Sequence, residues 1–285
     1  MKSLHVLQRP RLVAQPLSFS CGNARPFSAS IAHRRAHTSA TKPTPRKPHE
    51  IDPRWLSTTK QRIGRCMMFG LKPPQVHEAG TILQQLARNW RELIAECGVG
   101  RDGFVAWVIG LNGHVNNVTY ARYAETARVY FMRNYATHVD PAHKQEWMNL
   151  VSNKGVGVII RSLKLDYKFP MTYPDKVTVY HKLAQSPSGP HASQYSLYLQ
   201  AMVISEAHQR PAARIHEDLV TYDYRLGKKT ALPPFLMAQC KATWELQEQA
   251  KKLWRERILE IEARVRTLEV ESWDREDAVE DTGGR

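Results

Sequence analysis

Carboxylates are missing from the first 49 positions of this 285-residue chain; Glu50 is the first. Nine of its 41 lysines and arginines fall in that stretch: Lys2, Arg9, Arg11, Arg25, Arg34, Arg35, Lys42, Arg46 and Lys47. The formal charge of +14 is therefore lopsided, since beyond residue 49 there remain 32 basic residues against 27 acidic ones, a net of +5. So even a balance argues against a nucleic-acid-binding body, which gathers cations where phosphates lie. Long apolar runs are missing too. None approaches the ~18 residues of a membrane-spanning helix, so no transmembrane segment is expected. Cysteine is scarce: Cys21, Cys66, Cys97 and Cys240 stand far apart, with no C-x-x-C spacing. That excludes a zinc ribbon or a disulfide framework and leaves reduced thiols. No metal and no cofactor is implied.

What the first 49 residues do contain is arginine, serine and alanine, punctuated by Leu4, Val6, Leu7, Leu12, Val13, Leu17 and Phe19. Such acid-free, Arg-rich composition is that of a mitochondrial transit peptide, because a membrane potential draws cationic segments inward. The expected localisation is the mitochondrial matrix, with processing after Arg25-Pro26-Phe27-Ser28 or the Arg34-Arg35 pair. A basic arm for RNA or anionic lipid is the competing reading, weakened by the shortage of aromatic stacking residues. Composition alone leaves a chloroplast leader open. Pro43, Pro45, Pro48 and Pro53 then mark a linker that can form neither helix nor ladder.

Past the linker, residues 50–100 read as a helical extension. A short helix is expected over Ser57–Cys66, with a loop stopping at Pro73-Pro74. A longer one is expected over Glu78–Cys97, where Ile82, Leu83, Leu86, Trp90, Leu93 and Ile94 recur at three and four. Gly98 to Gly100 end it. Phe104–Ile109 (FVAWVI) reads as a short buried strand. A helix follows over about Val118–Thr137, then a shorter one from Asp140-Pro141 to about Leu150 anchored by Trp147. Four extended runs come next: Val156–Phe169, Lys176–Gln185, Gln194–Ser205 and Ala212–Arg225, with a hairpin loop at Ser186-Pro187-Ser188-Gly189-Pro190. Pro233-Pro234 stop the sheet. Phe235–Trp273 carries a narrow apolar stripe (Leu246, Leu253, Trp254, Ile258, Ile261, Val265, Leu268) suited to docking or a short coiled coil. The acidic, glycine-ended residues 274–285 are expected to be disordered.

The stretch GLNGHVNNVTYARYAETARVYFMRNYA, Gly110–Ala136, concentrates the chemistry. Small and polar residues lead into a helix whose Tyr120, Ala124, Ala127, Phe131 and Tyr135 share one side. Asn is a strong N-cap, and first-turn amides lack intrahelical partners. With the positive end of the helix dipole they can receive a carbonyl or anionic oxygen. A histidine, His114, stands beside them on a glycine-permissive loop.

GHVNN followed by a tyrosine-rich helix ending Glu125-x-x-Arg128 resembles the hotdog-fold thioesterases, the 4-hydroxybenzoyl-CoA thioesterase-like and plant acyl-ACP thioesterase-like proteins. The likeness runs from about Phe104 to Leu232. HVDPAHKQEW and RSLKLDYKFPMTYPDKV resemble fungal mitochondrial thioesterase-like proteins. The resemblance implies an α+β hotdog fold over 101–233: an antiparallel sheet wrapped around a central helix, with extra N- and C-terminal helices. The long C-terminal helix is assigned 234–273. It also implies hydrolysis of acyl-CoA or acyl-ACP thioesters by a homodimer, with His114 activating water and Asn112 orienting water or carbonyl. Amides around Asn116 to Val118 would hold the oxyanion, with Gly113, Asn116, Asn117, Val118 and Tyr120 against the substrate; Asn117 is alternatively the helix cap. One departure matters: where such enzymes carry Asp, three residues before the glycine of Gly-His, this chain has Gly110. Either His114 works alone, or a carboxylate such as Glu125 reaches the site, or hydrolysis has been lost. For Glu125 a pairing with Arg128 or with a neighbouring strand is the competing role. A non-catalytic hotdog protein binding an acyl chain or a mitochondrial assembly is thus the second reading.

Overall fold

Val, Ile and Leu at alternate positions build the sheet, because period-two side chains share a face. The computed structural model describes residues 52, 54–95, 104–107 and 113–281. The expected leader, Cys21, Cys97, Gly110 and Asn112 lie outside the described residues. The strands are β1 (Phe104–Trp107), β2 (Val156–Tyr167), β3 (Lys176–Leu183), β4 (Ser196–Ser205), β5 (Arg210–Asp223) and the two-residue β6 (Lys228–Lys229). They form one antiparallel sheet in the order β1-β3-β4-β5-β2, with β6 folding back on β5 through Gly227. The helices are α1 (Trp55–Met68), α2 (Pro73–Ala95), α3 (Asn117–Asn134), α4 (Lys144–Leu150) and α5 (Pro234–Glu271).

The sheet wraps α3, and the architecture is the hotdog fold. Tyr120, Tyr123, Ala124 and Ala127 of the helix pack on Val177, Val179, Ala201, Val203, Ala213 and Ile215 of the three central strands. Alanines on both sides let helix and sheet approach closely. The opposite face of the sheet is covered as well. There Met202 and Ile204 meet a helical layer made of Ile63 from α1, Ile82, Leu86 and Trp90 from α2, and Ile258, Ile261, Val265 and Leu268 from α5. Two-sided burial explains why β4 is buried at eight of ten positions.

Helix α5, 38 residues and about 57 Å long, joins the two faces. Its first turns, through Leu236 and Cys240, pack with Tyr135, Trp147 and Leu183 on the α3 side. Its second half belongs to the outer layer. Between them lies Gln247, whose Oε1 accepts from Leu183 N–H at 2.9 Å while its Nε2 donates to Leu183 C=O at 3.2 Å. Strand β1 pairs with β3 only over Lys176–Val179. Gln247 therefore satisfies both backbone groups of Leu183, at the end of β3 beyond the described pairing with β1.

Several boundaries differ from the sequence reading. The loop stops at Pro73-Pro74 as expected, but these prolines already open α2, which was expected to start at Glu78, since proline suits a first turn whose N–H groups lack partners. The central helix ends at Asn134 and continues as a wider π turn, Tyr135–Val139. The helix cap is Asn116, not Asn117: its side chain accepts from Val118 N–H at 3.0 Å. The acidic end, expected to be disordered, is described through Asp281, whose N–H donates to Met68 C=O at 2.8 Å. Among the described residues no helix is long and apolar enough to cross a membrane.

Candidate active site

Gly113 adopts φ +75°, a left-handed conformation, and nothing lies within 4 Å of where a Cβ would stand. The glycine is needed for backbone shape and not for space. It turns the chain so that Val115 is buried beneath the loop, 1% exposed, while His114 and Asn116 on either side reach solvent. Val115 N–H donates to Met171 C=O at 2.9 Å, and Met171 N–H donates to the Tyr120 hydroxyl at 3.2 Å. The loop before α3 is thus clamped to the turn after β2. Burial holds the Tyr120 phenol above its ordinary range, so it stays a neutral strut. Tyr167, packed edge-on against Tyr120 at 5.3 Å, donates its hydroxyl to Asn117 C=O at 3.2 Å.

His114 Nδ1 lies 3.1 Å from Val115 C=O. A carbonyl only accepts, so the ring carries its proton on Nδ1 and leaves the Nε2 lone pair for a water or substrate proton. Two of the first-turn donors are spoken for: Val118 N–H by the Asn116 side chain and Thr119 N–H by Asn116 C=O at 2.9 Å. Of the amides proposed for an oxyanion, those of Asn116 and Asn117 remain. Val118 itself presents an apolar side chain to solvent, 61% exposed, at the mouth of the helix.

Gly113, His114, Asn116, Asn117 and Val118 therefore come together at the α3 N-terminus. Tyr120 does not join them at the surface: it is 2% exposed and positions the loop. Glu125 lies on the exposed side of α3, two turns along. Its expected partner, Arg128, is engaged by Glu217 of β5 at 2.8 Å. The contact recorded for the His114 ring is a backbone carbonyl, not a carboxylate. Met171, Tyr167 and Val115 escaped the sequence reading, because their bonds join positions about 50 residues apart. Only the Pro170 break after an extended run hinted at a turn there. Among the described residues, no group of three His, Cys, Asp or Glu is placed to hold a metal.

Residues 104–240 match the family model described as the thioesterase-like superfamily. The sheet order and the wrapped helix of this part of the chain are those of the hotdog fold, and its sequence is similar to that superfamily. Solved structures with a similar fold include the DHNA-CoA thioesterase of Staphylococcus aureus, 16% identical, covering 52% of this chain and 92% of that one at a TM-score of 0.39. A Thermus thermophilus thioesterase complexed with coenzyme A and zinc is 20% identical, covering 50% and 96% at 0.37. The Escherichia coli YbaW protein, described as a probable thioesterase, is 18% identical, covering 49% and 96% at 0.38. No curated protein matches the chain significantly.

Proposed function

We propose that this protein hydrolyses acyl thioesters carried by coenzyme A or an acyl carrier protein, in the mitochondrial matrix. The observation that carries the reading is His114: an exposed imidazole with its Nδ1 proton fixed by the Val115 carbonyl and its Nε2 lone pair left for a substrate, beside the N-terminus of an 18-residue helix. In that arrangement Nε2 removes a proton from water as it attacks the thioester carbonyl. The Asn116 and Asn117 amides, at the positive end of the helix dipole, meet the oxyanion. Asn112, two residues before the histidine, is assigned the orientation of water or carbonyl. The acid-free leader supports import.

A homodimer completes the site in this reading, with the acyl carrier arm between protomers. Its support is β2, a 12-residue edge strand whose outer side pairs with no described strand and whose Ile160, Leu163 and Tyr167 are exposed. Such an edge invites pairing with a second copy. The full chain assayed against acyl-CoAs of graded length tests the activity. Hydrolysis should fall ~10²–10⁴-fold in His114→Ala, the usual loss when a general base is removed. Absence of turnover across the panel, by protein with an intact circular dichroism spectrum, overturns it.

One observation favours the second reading, a non-catalytic acyl-binding or assembly protein: His114 is held by a carbonyl where a catalytic histidine ordinarily has a carboxylate to orient it. If the native chain is inactive and Gly110→Asp acquires hydrolysis, a retired enzyme is the better description. A matrix partner that is lost when residues 240–285 are deleted, with the sheet still folded, points to an assembly role.

A further inference from the structure

The peptide plane between Asn117 and Val118, in the first turn of α3, is gripped from both sides. Val118 N–H donates to Asn116 Oδ1 at 3.0 Å, and Asn117 C=O accepts from the Tyr167 hydroxyl at 3.2 Å. The first grip is local, the ordinary cap of a helix that starts after asparagine. The second reaches in from the last residue of β2, 50 positions along the chain. Tyr167 is itself anchored. Its backbone pairs with Ala213 of β5, the next amide (Lys168 N–H) donates to Ala212 C=O at 2.8 Å, and its ring stands edge-on to the buried Tyr120. Packing accounts for the ring but not for the hydroxyl, because a phenylalanine would cover Tyr120 as well. Tyr167 is 45% exposed, so water could satisfy the phenol; it bonds the backbone of α3 instead.

We infer that Tyr167 is a positioning residue for the α3 site: its hydroxyl holds this peptide plane so that the Asn116 and Asn117 amides stay aimed at the thioester oxygen. The inference rests on the hydrolytic reading above. A peptide group is rigid and planar, so fixing its C=O and its N–H together fixes the whole plane. Asn117 N–H lies one Cα before that plane, and its direction is then set by the two backbone dihedrals of a single helical residue. Helix ends fray. A donor that wanders must be re-aimed as negative charge develops, whereas a fixed one costs no reorganisation at that moment. A tie from the sheet to the first turn of α3 removes the freedom that the local Asn116 cap leaves. It is one bond between neutral, partly exposed groups, so its loss should barely change the stability of the fold and should show in the rate.

The test is steady-state kinetics of the full chain with the acyl-CoA that the native protein hydrolyses best. Tyr167→Phe keeps the ring and removes the hydroxyl. Its kcat should fall about tenfold, less than the ~10²–10³-fold lost when an oxyanion donor is itself removed. Its KM should stay within about twofold of native, because the amides act on a charge that exists only in the transition state. The melting temperature of Tyr167→Phe should match the native one, while Tyr167→Leu, which also uncovers Tyr120, should lower both kcat and the melting temperature. Tyr224→Phe, at another exposed tyrosine on the turn after β5, should leave kcat and KM as they are. A second readout needs no turnover: hydrogen exchange at the Val118 amide should accelerate in Tyr167→Phe, with exchange at Leu199 of β4 unchanged. A native chain that hydrolyses no acyl-CoA overturns the hydrolytic reading and this inference together. Native kcat in Tyr167→Phe, a loss confined to KM, an equal loss in Tyr224→Phe, or unchanged exchange at Val118 overturns this inference alone.

Discussion

Arg128 of α3 donates to Glu217 of β5 at 2.8 Å, with the carboxylate side chain 0% and the guanidinium side chain 10% exposed. The second Glu217 oxygen lies 3.3 Å from His181 Nε2 on β3, so one carboxylate ties the central helix to two strands. His181 Nδ1 is buried without a hydrogen-bond partner among the described residues. The ring therefore donates to Glu217 from Nε2 and keeps its bare nitrogen in the apolar layer beside Phe131.

Breaking one side of this contact should be costly. Arg128→Met or Glu217→Leu strands a buried charge and is expected to destabilise the fold by ~3–5 kcal/mol. The double variant Arg128→Met/Glu217→Leu should recover most of the loss, because no charge is left unpaired. Urea unfolding of the three variants measures both. Single variants within ~1 kcal/mol of native would mean that the pair is solvated in solution.

Gln247→Leu keeps the volume of the side chain but returns Leu183 N–H and C=O to an uncapped edge. The expected cost is ~1–3 kcal/mol, from backbone groups buried without partners. Hydrogen exchange at the Leu183 amide should accelerate along with that loss. Unchanged protection there would show that something other than Gln247 covers the edge.

Asp140 and His143 lie at the end of the π turn and are bonded at 3.0 Å, and Trp147 donates its indole N–H to Asp140 at 3.0 Å. The hydrogen bond from His143 holds the Asp140 carboxyl below its ordinary range, and the same bond raises His143. Asp140 contributes stability above its unfolded value of about 3.9, lost as pH falls through the lowered folded value. His143 contributes below its unfolded value of about 6.5, lost as pH rises through the raised one. The melting-temperature gap between the native chain and His143→Gln should therefore be widest between about pH 4 and 6.5 and close on both sides. A gap that is flat from pH 3 to pH 9 would count against the pair.

Burial pushes the Tyr135 hydroxyl up to about 12, and its contact with Thr243 of α5 offsets this only in part. Burial alone pushes the Cys240 thiol to about 12 as well. In ultraviolet titration, Tyr135→Phe should remove a component that ionises beyond the ordinary tyrosine range, leaving the main wave near pH 10 unchanged. Cys240 should resist a disulfide reagent at pH 8 in the folded chain and react on unfolding. Prompt reaction of Cys240 in native protein would place the first turns of α5 away from Trp147 and Leu183.

Periodicity is local, and what it encodes was legible. Val156–Phe169, Lys176–Gln185, Gln194–Ser205 and Ala212–Arg225 sit within a few residues of β2 to β5, and their order with the helix before them matched the hotdog arrangement. Gly113, His114 and the asparagines could be assigned to a helix start for the same reason, since capping chemistry acts over three or four residues. Contacts between distant residues left no such mark. Nothing in the spacing of Arg128 announces Glu217, 89 residues on, or tells Glu125 that its side of the helix is open. The apolar stripe of α5 signalled docking without saying on what, because a stripe fits any apolar surface. That it crosses the end of β3 and caps Leu183 through Gln247 was decided only when helix and sheet came together. The sequence by itself determined the elements and the helix start that bears His114. The tertiary structure decided which charges are buried together and which face of each element meets water, because those depend on energies between parts of the chain that become neighbours only on folding.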